Sequence, residues 1–338
     1  MEQIEYPYLN SFEYNPKYKK NVYYGNDFRM NENEVKILLE EKILFNNCNS
    51  PLTQYDYNMM LKNKKVYFGY LFNQEIAGKI PDNITEISFK DYRRDPADYS
   101  CSIAKAREND FNTDSPNEFN QPICINSEHS RETCNCLPKN LECIEFGECF
   151  NHPIDNLPNT LQKLKISYLF NKSLDNLPEN LTYLSIEGLF NKSVDNLPKF
   201  LITLIIECHN FNQKLDNLPN SLKYLEIFSC NFNQSIDLLP SSLETLILNT
   251  TGFTKRFDNL PNSLKILILN LNIYHDCINN LPDSIEILDI IMDYNTIIKK
   301  LPKNLIKFNK KFINSEEIEE YIKNRNENPK KKQKYDVR

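Results

Sequence analysis

The sequence predicts a repeat solenoid built on a parallel β-sheet of short strands, about one strand per 20–21 residues. Its outer side is extended or tightly turned, and short helices cap both ends. Three observations predict it. Leu-Pro recurs at Leu137, Leu157, Leu177, Leu197, Leu218, Leu239, Leu260, Leu281 and Leu301, always 20 or 21 residues apart. An aromatic stands seven residues before most of these leucines, as Phe150, Phe170, Phe190, Phe211, Phe232, Phe253 and Tyr274, and an apolar residue such as Ile154, Leu174, Val194 or Leu215 stands three before. After each Pro the pattern alternates: Leu184 and Ile186 face one way, Tyr183, Ser185 and Glu187 the other, which is the period of a half-buried strand. All units run in one direction, so their strands pair in parallel. Pro donates no ladder hydrogen bond, so Leu-Pro lies outside the sheet.

The elements follow in order. Residues 1–71 read as an N-terminal helical cap. Asn31 with Glu34 resembles a capping box, Val35, Leu38, Leu39 and Ile43 keep helical spacing over 31–46, and Ser50-Pro51 starts a second helix carrying Tyr55, Met59 and Met60. Val66-Tyr67-Phe68 is the entering strand. Residues 72–136 hold a degenerate first repeat (Phe72-Asn73, Ile76, Ile80-Pro81, Ile84, Ile87, Phe89) with an insertion looping out at about 91–118, after which Phe119-Asn120-Gln121-Pro122-Ile123 restarts a unit. Residues 137–312 are the regular repeats. Residues 313–326, opened by Asn314 with Glu317, form a C-terminal capping helix, and 327–338 a solvated basic tail around Lys330, Lys331, Lys332 and Lys334.

Stacked in register, the Phe and Leu/Ile positions form continuous columns inside the coil. The Asn after each Phe (Asn151, Asn171, Asn191, Asn212, Asn233) and the Asp-Asn before Leu-Pro keep the same phase, and such side chains bond backbone groups left open at bends. The unit Phe-Asn-x-x-Ile-Asp-x-Leu-Pro-x-x-Leu-x-x-Leu-x-Ile, closest to its ideal at Phe211–Pro219 and Phe232–Pro240, resembles the FNIP repeat, a relative of the leucine-rich repeat. The resemblance covers 150–308 well and 72–89 weakly. It implies a protein-binding role of the kind found in social amoebae and giant viruses of amoebae, where such repeats are often joined to an F-box. The chain departs from the pattern at Phe253-Thr254 and Tyr274-His275, and residues 1–71 lack the Leu-Pro opening and Trp of the usual F-box.

Forty basic against 46 acidic residues give a net charge of −6, so no global positive field draws phosphate backbones, and nucleic acid is not an expected partner. The N-terminus lacks a secretory layout and no window is long and apolar enough for a membrane span, so the expected location is cytoplasmic, in the host if the chain is viral, with reduced cysteines. No catalytic residue, cofactor or metal is expected. Cys124, Cys134, Cys136, Cys143 and Cys149, with His129 and His152, lack two standard zinc knuckles, and the repeat phase holds Cys143 and Cys149 apart. No Gly-rich phosphate loop or nucleophile elbow occurs among the six glycines.

The surface that can bind is the outward strand column, which turns apolar toward the C-terminal half. Tyr183, Ile205, Tyr224, Phe228, Ile247, Ile266, Ile268 and Ile287 are the expected partner-binding residues, forming one patch on adjacent rungs. The expected function is a non-enzymatic protein-interaction module binding a protein partner. Two other readings stand beside it: a ubiquitin-ligase substrate adaptor using the N-terminal helices, and a self-associating structural protein.

Overall fold

The computed structural model describes residues 12–15, 20–23, 42–45, 51–68, 72–89, 119–123, 136–271, 278, 280–292 and 300–310. The chain divides into two compact units, Met1–Lys172 and Ser173–Arg338. Each contains a parallel sheet with one strand per coil, as the repeat predicts.

In the N-terminal unit, a hairpin pairs β1 (Phe12–Asn15) antiparallel with β2 (Lys20–Tyr23). The parallel sheet then runs β3 (Lys42–Phe45), β4 (Lys65–Phe68), β5 (Glu86–Ser88), β6 (Cys143–Glu145) and β7 (Lys163–Ile166), in spatial as in chain order. The helix expected over 31–46 is corrected at its C-terminal end, because Lys42–Phe45 pairs in parallel with β4; 31–41 lie outside the described residues. The apolar pair Ile43 and Leu44 fits a strand as well as a helix turn, and the open edge of β4 decides for the strand. The second helix does form, as α1 (Gln54–Met60), but starts later than expected. Thr53 is its N-cap and makes a capping box with Asp56, so the Ser50-Pro51 signal lies before the helix rather than in it.

The insertion expected at about 91–118 lies outside the described residues, but the coils on either side of it are joined. β5 and β6 are neighbours although 54 residues separate Ser88 from Cys143, and Phe119 is returned to the core, stacked 3.9 Å from Phe89 and 6.0 Å from Phe150. The unit carries two aromatic columns. Phe68, Phe89 and Phe146 leave the strand ends, while Phe72, Phe119, Phe150 and Phe170 come from the following turns, and all seven are buried.

The C-terminal unit is the more regular. Its strands β8 (Tyr183–Gly188), β9 (Thr203–Cys208), β10 (Tyr224–Phe228), β11 (Thr245–Thr250), β12 (Ile266–Leu271), β13 (Ile287–Met292) and β14 (Lys307–Lys310) lie side by side in chain order. The strand-end aromatic column is replaced by Ile186, Ile206, Ile227, Leu248, Leu269 and Ile290, all buried. The turn column continues as Phe190, Phe211, Phe232 and Phe253, each fully buried and stacked on the next at 6.3, 6.1 and 6.1 Å. Hydrogen-bonded strands sit about 4.8 Å apart. Within this unit the coils therefore fan apart on the Phe side and close on the strand side, which makes the strand face concave.

Among the described residues each Leu-Pro coil closes without a helix. After every Leu-Pro, the Pro carbonyl accepts from the N–H three residues on, as in Leu222 to Pro219 at 3.0 Å and Leu243 to Pro240 at 3.0 Å. One carbonyl then receives two consecutive N–H groups of the next coil, as Ile202 does from Lys223 (2.9 Å) and Tyr224 (3.1 Å), and this opens the strand. At the Phe turn the asparagines form the expected ladder. The Asn212 N–H donates to Asn191 Oδ1, the Asn233 N–H to Asn212 Oδ1 and the Thr254 N–H to Asn233 Oδ1, each at 3.0 Å. Gln213 and Gln234 add Nε2 donations to the same oxygens at 2.9 and 3.0 Å. The N-terminal unit repeats the ladder through Asn73, Asn120, Asn151 and Asn171, so the insertion leaves it unbroken.

Two further ladders lie outside the core. Ser221, Ser242, Ser263 and Ser284 donate their hydroxyls to the turn leucine carbonyl one coil back, at 2.6–2.8 Å. The Asp before Leu-Pro accepts from the Asn of the next coil, as Asp175 does from Asn196 (3.0 Å), Asp195 from Asn217 (3.2 Å) and Asp237 from Asn259 (3.1 Å). The corresponding partner for Asp216 would be residue 238, which is a 64% exposed Leu.

These ladders predict graded costs. Phe211→Ala should destabilise by about 3–5 kcal/mol through the cavity it opens. Asn212→Ala should cost about 1–3 kcal/mol, because it leaves the Asn233 N–H without its acceptor and the Gln234 amide with only the residue 212 backbone carbonyl. Leu238→Asn should gain up to about 1 kcal/mol by restoring the rung to Asp216. Urea unfolding midpoints read all three.

Candidate functional site

The outward positions of the two sheets differ in chemistry. On the N-terminal unit one row reads Lys65, Glu86, Cys143, Lys163 and the next Tyr67, Ser88, Glu145, Lys165. These groups bond one another: Lys65 pairs with Glu86 at 2.9 Å, the Tyr67 hydroxyl donates to Glu86 at 2.6 Å, Ser88 donates to Glu145 at 3.1 Å and Lys165 pairs with Glu145 at 3.6 Å. The face is polar and internally matched.

On the C-terminal unit the first outward row is Tyr183, Thr203, Tyr224, Thr245, Ile266, Ile287 and Lys307. The second is Ser185, Ile205, Glu226, Ile247, Ile268 and Asp289. The third runs Glu187, Glu207, Phe228, Asn249 and Asn270. All eight residues singled out from the sequence point outward here, but the register divides them. Ile247, Ile266, Ile268 and Ile287 form one contiguous block over β11–β13. Phe228, 36% exposed, borders it in the third row and meets His209 edge-on at 5.7 Å. Ile205 is cut off from Ile247 by Glu226, whose carboxylate accepts the Tyr224 hydroxyl at 2.6 Å. Burial and that carboxylate together push the Tyr224 phenol well above its ordinary range, so it stays a neutral donor. Tyr183 lies in Tyr224's row, across Thr203 from it, and outside the block.

Some surface features escape the strand-column reading. The position just before each strand alternates in sign along Lys223, Glu244 and Lys265, with Glu244 bridging both lysines at 3.1 and 2.8 Å. Those two lysines hold the Glu244 carboxyl below its usual range. The same column carries the exposed Ile202 and Ile306, and the turn before it the exposed Phe200. Aligning the repeats at these positions, rather than on the strand alone, exposes the signal.

Only part of the cysteine cluster falls among the described residues. Cys136, Cys143 and Cys149 are half-buried thiols, Cys143 stands between Glu86 and Lys163 in a strand row, and no group of metal-ligating side chains assembles among the described residues. Cys124, Cys134 and His129 lie outside the described residues, as do the C-terminal capping helix expected at 313–326 and the basic tail. Burial first, and Glu86 second, push the Cys143 thiol up to about 11; burial pushes Cys208 up to about 12. No helix among the described residues is long and apolar enough to cross a membrane.

The thiol environments predict an order of reaction. At pH 8, iodoacetamide should modify the exposed Cys230 at least about 10-fold faster than Cys143 or Cys208, because a raised pKa leaves little thiolate. Peptide mapping of alkylation against time reads the order directly.

The FNIP Repeat family matches this chain at residues 133–169 and 211–251. Comparison with curated protein sequences gives no match. Among solved structures, one described as "The crystal structure of CroV588 a novel circular LRR protein structure" is similar at a TM-score of 0.53 and 29% identity; the match covers 80% of this chain and 40% of that one. YopM from Yersinia enterocolitica WA-314 is similar at a TM-score of 0.42 and 18% identity, over 80% of this chain and 60% of that one. The chain thus spans less than two thirds of the length of either. None of these findings shows a catalytic family. The repeat period, the parallel one-strand coils and the likeness to the circular LRR structure together show a leucine-rich-repeat-like solenoid, two segments of which match the FNIP Repeat family.

Proposed function

We propose that the protein is a non-enzymatic interaction module that binds a protein partner on the strand face of its C-terminal unit. Ile247, Ile266, Ile268 and Ile287 form the centre of that site, and Phe228, Tyr224, Ile205 and Tyr183 its border toward β8. Folds of this kind typically serve as protein-interaction modules, which supports the general reading.

The observation that carries the specific one is the contrast between the two faces. On the N-terminal unit the outward side chains pair with each other, whereas four isoleucines stand together on the C-terminal unit's concave face. Sheet propensity accounts for β-branched residues in strands, but not for their gathering in one of two otherwise similar faces. A contiguous apolar patch held on a rigid sheet is the usual mark of an interface.

Replacing Ile247 and Ile268 by Lys should reduce recovery of bound proteins from a lysate at least tenfold, measured by quantitative mass spectrometry against the unaltered chain. The thermal midpoint should fall by only about 2–4 °C, since both side chains lie outside the core. Lys163→Glu, on the other unit's face, should leave recovery unchanged. Equal recovery by the Ile variant and the unaltered chain would refute the site.

A further inference from the structure

We propose that Cys230 and His209 form a thiol-exchange site, which takes up a small-molecule disulfide of the glutathione type as a covalent adduct. The two side chains come from neighbouring coils, yet Cys230 Sγ lies 3.7 Å from His209 Nδ1, within reach of a hydrogen bond from thiol to imidazole. Both residues are exposed, and Cys230 is the one exposed thiol among the described free cysteines. An accessible thiol beside an imidazole is the arrangement that nucleophilic sulfur chemistry requires, a nucleophile with a base in contact.

The fold holds the pair in place. β10 ends at Phe228, and the buried Ser229 that follows donates its hydroxyl to the His209 carbonyl at 3.0 Å and to the Phe211 carbonyl at 2.9 Å. From the next coil the Thr251 hydroxyl donates to the Cys230 carbonyl at 2.8 Å. Asn231 Nδ2 donates to Asn210 Oδ1 at 2.8 Å, so the backbone is tied from coil to coil on either side of the pair. The His209 ring is braced by the edge-on contact with Phe228. No structural duty calls for these residue types. The same position in successive coils holds Leu189, His209, Cys230 and Thr251, a column without a repeated side chain, unlike the asparagine and serine ladders.

The incoming disulfide is itself the oxidant, so the step balances. With its ring proton on Nε2, His209 accepts the Cys230 proton at Nδ1, and the Cys230 thiolate attacks one sulfur of the disulfide. A new S–S bond forms as the old one breaks, and the departing thiolate takes the proton back from the imidazolium. The products are a mixed disulfide on Cys230 and one free small thiol. Cys208, beside His209 in the chain, does not resolve that mixed disulfide. It is buried, and its thiol donates inward to the Ile186 carbonyl at 3.4 Å, so the adduct persists.

Incubating the full chain with glutathione disulfide at neutral pH, and following Cys230 by peptide mapping and mass spectrometry, tests this. Cys230 should gain the glutathionyl group at least about 5-fold faster than the same cysteine in a synthetic peptide covering Glu226–Gln234, and dithiothreitol should remove it. His209→Asn should slow the reaction about 10-fold, with circular dichroism showing that the variant is folded. His209→Ala should be slowed to the same extent and regain at least about half of the lost rate when free imidazole is added, a response that exposure of the thiol alone does not give. A folded chain that reacts no faster than the peptide, or an adduct that forms equally fast in His209→Asn, overturns the site and leaves Cys230 an exposed thiol. Slowing that imidazole fails to reverse overturns the proton transfer to His209. Absence of any adduct on Cys230 overturns the inference outright.

Discussion

A coil of 20 or 21 residues without a helix has a problem that a helix would otherwise solve: its return path leaves backbone donors and acceptors with no regular ladder of their own, and burying them unpaired is costly. The asparagine ladder answers this. The N–H of Asn212 is met by the side-chain oxygen of Asn191, and Asn212 in turn supplies the oxygen for Asn233, so each coil satisfies the next. The serine hydroxyls do the same for the turn leucine carbonyls. Only because the turns are closed in this way can Phe211 and Phe232 be driven fully inside and stacked at 6.1 Å.

Energetically this makes the fold one of nearest neighbours. A ladder rung and a stacked ring each belong to two adjacent coils, so stability is a sum of coil and interface terms rather than the property of one central core. It also explains how a long insertion is tolerated. Residues between Phe89 and Phe119 can leave the repeat so long as the chain returns Phe119 to the ring stack and Asn120 to the rung between Asn73 and Asn151. At Thr254 the hydroxyl and N–H both donate to Asn233, and a threonine has no amide oxygen to pass forward.

The period, the inward columns, the role of the asparagines and the direction of the strand faces in the Leu-Pro repeats were legible in the sequence, because each is a local rule repeated at fixed phase. What was not legible depends on where a segment meets its neighbours. Lys42–Phe45 has apolar spacing compatible with a helical turn, and only the free edge of Lys65–Phe68 makes it a strand. The hairpin of Phe12–Asn15 and Lys20–Tyr23 carries no repeat phase at all. At the candidate site, alternation places all eight residues outward, yet which of them touch is a question of cross-strand register. That register sets Glu226 between Ile205 and Ile247, and so splits an apparently single patch.

The division of labour between inward and outward positions is what frees the surface for recognition. Inward sites are fixed by the columns, and turn sites by the ladders, so neither can change without a loss of stability. The outward strand positions carry neither duty. They can therefore vary from Lys163 and Lys165 on one unit to Ile247 and Ile268 on the other without altering how the coil holds together. A concave sheet adds the last condition. Side chains converging from neighbouring strands can contact one ligand together.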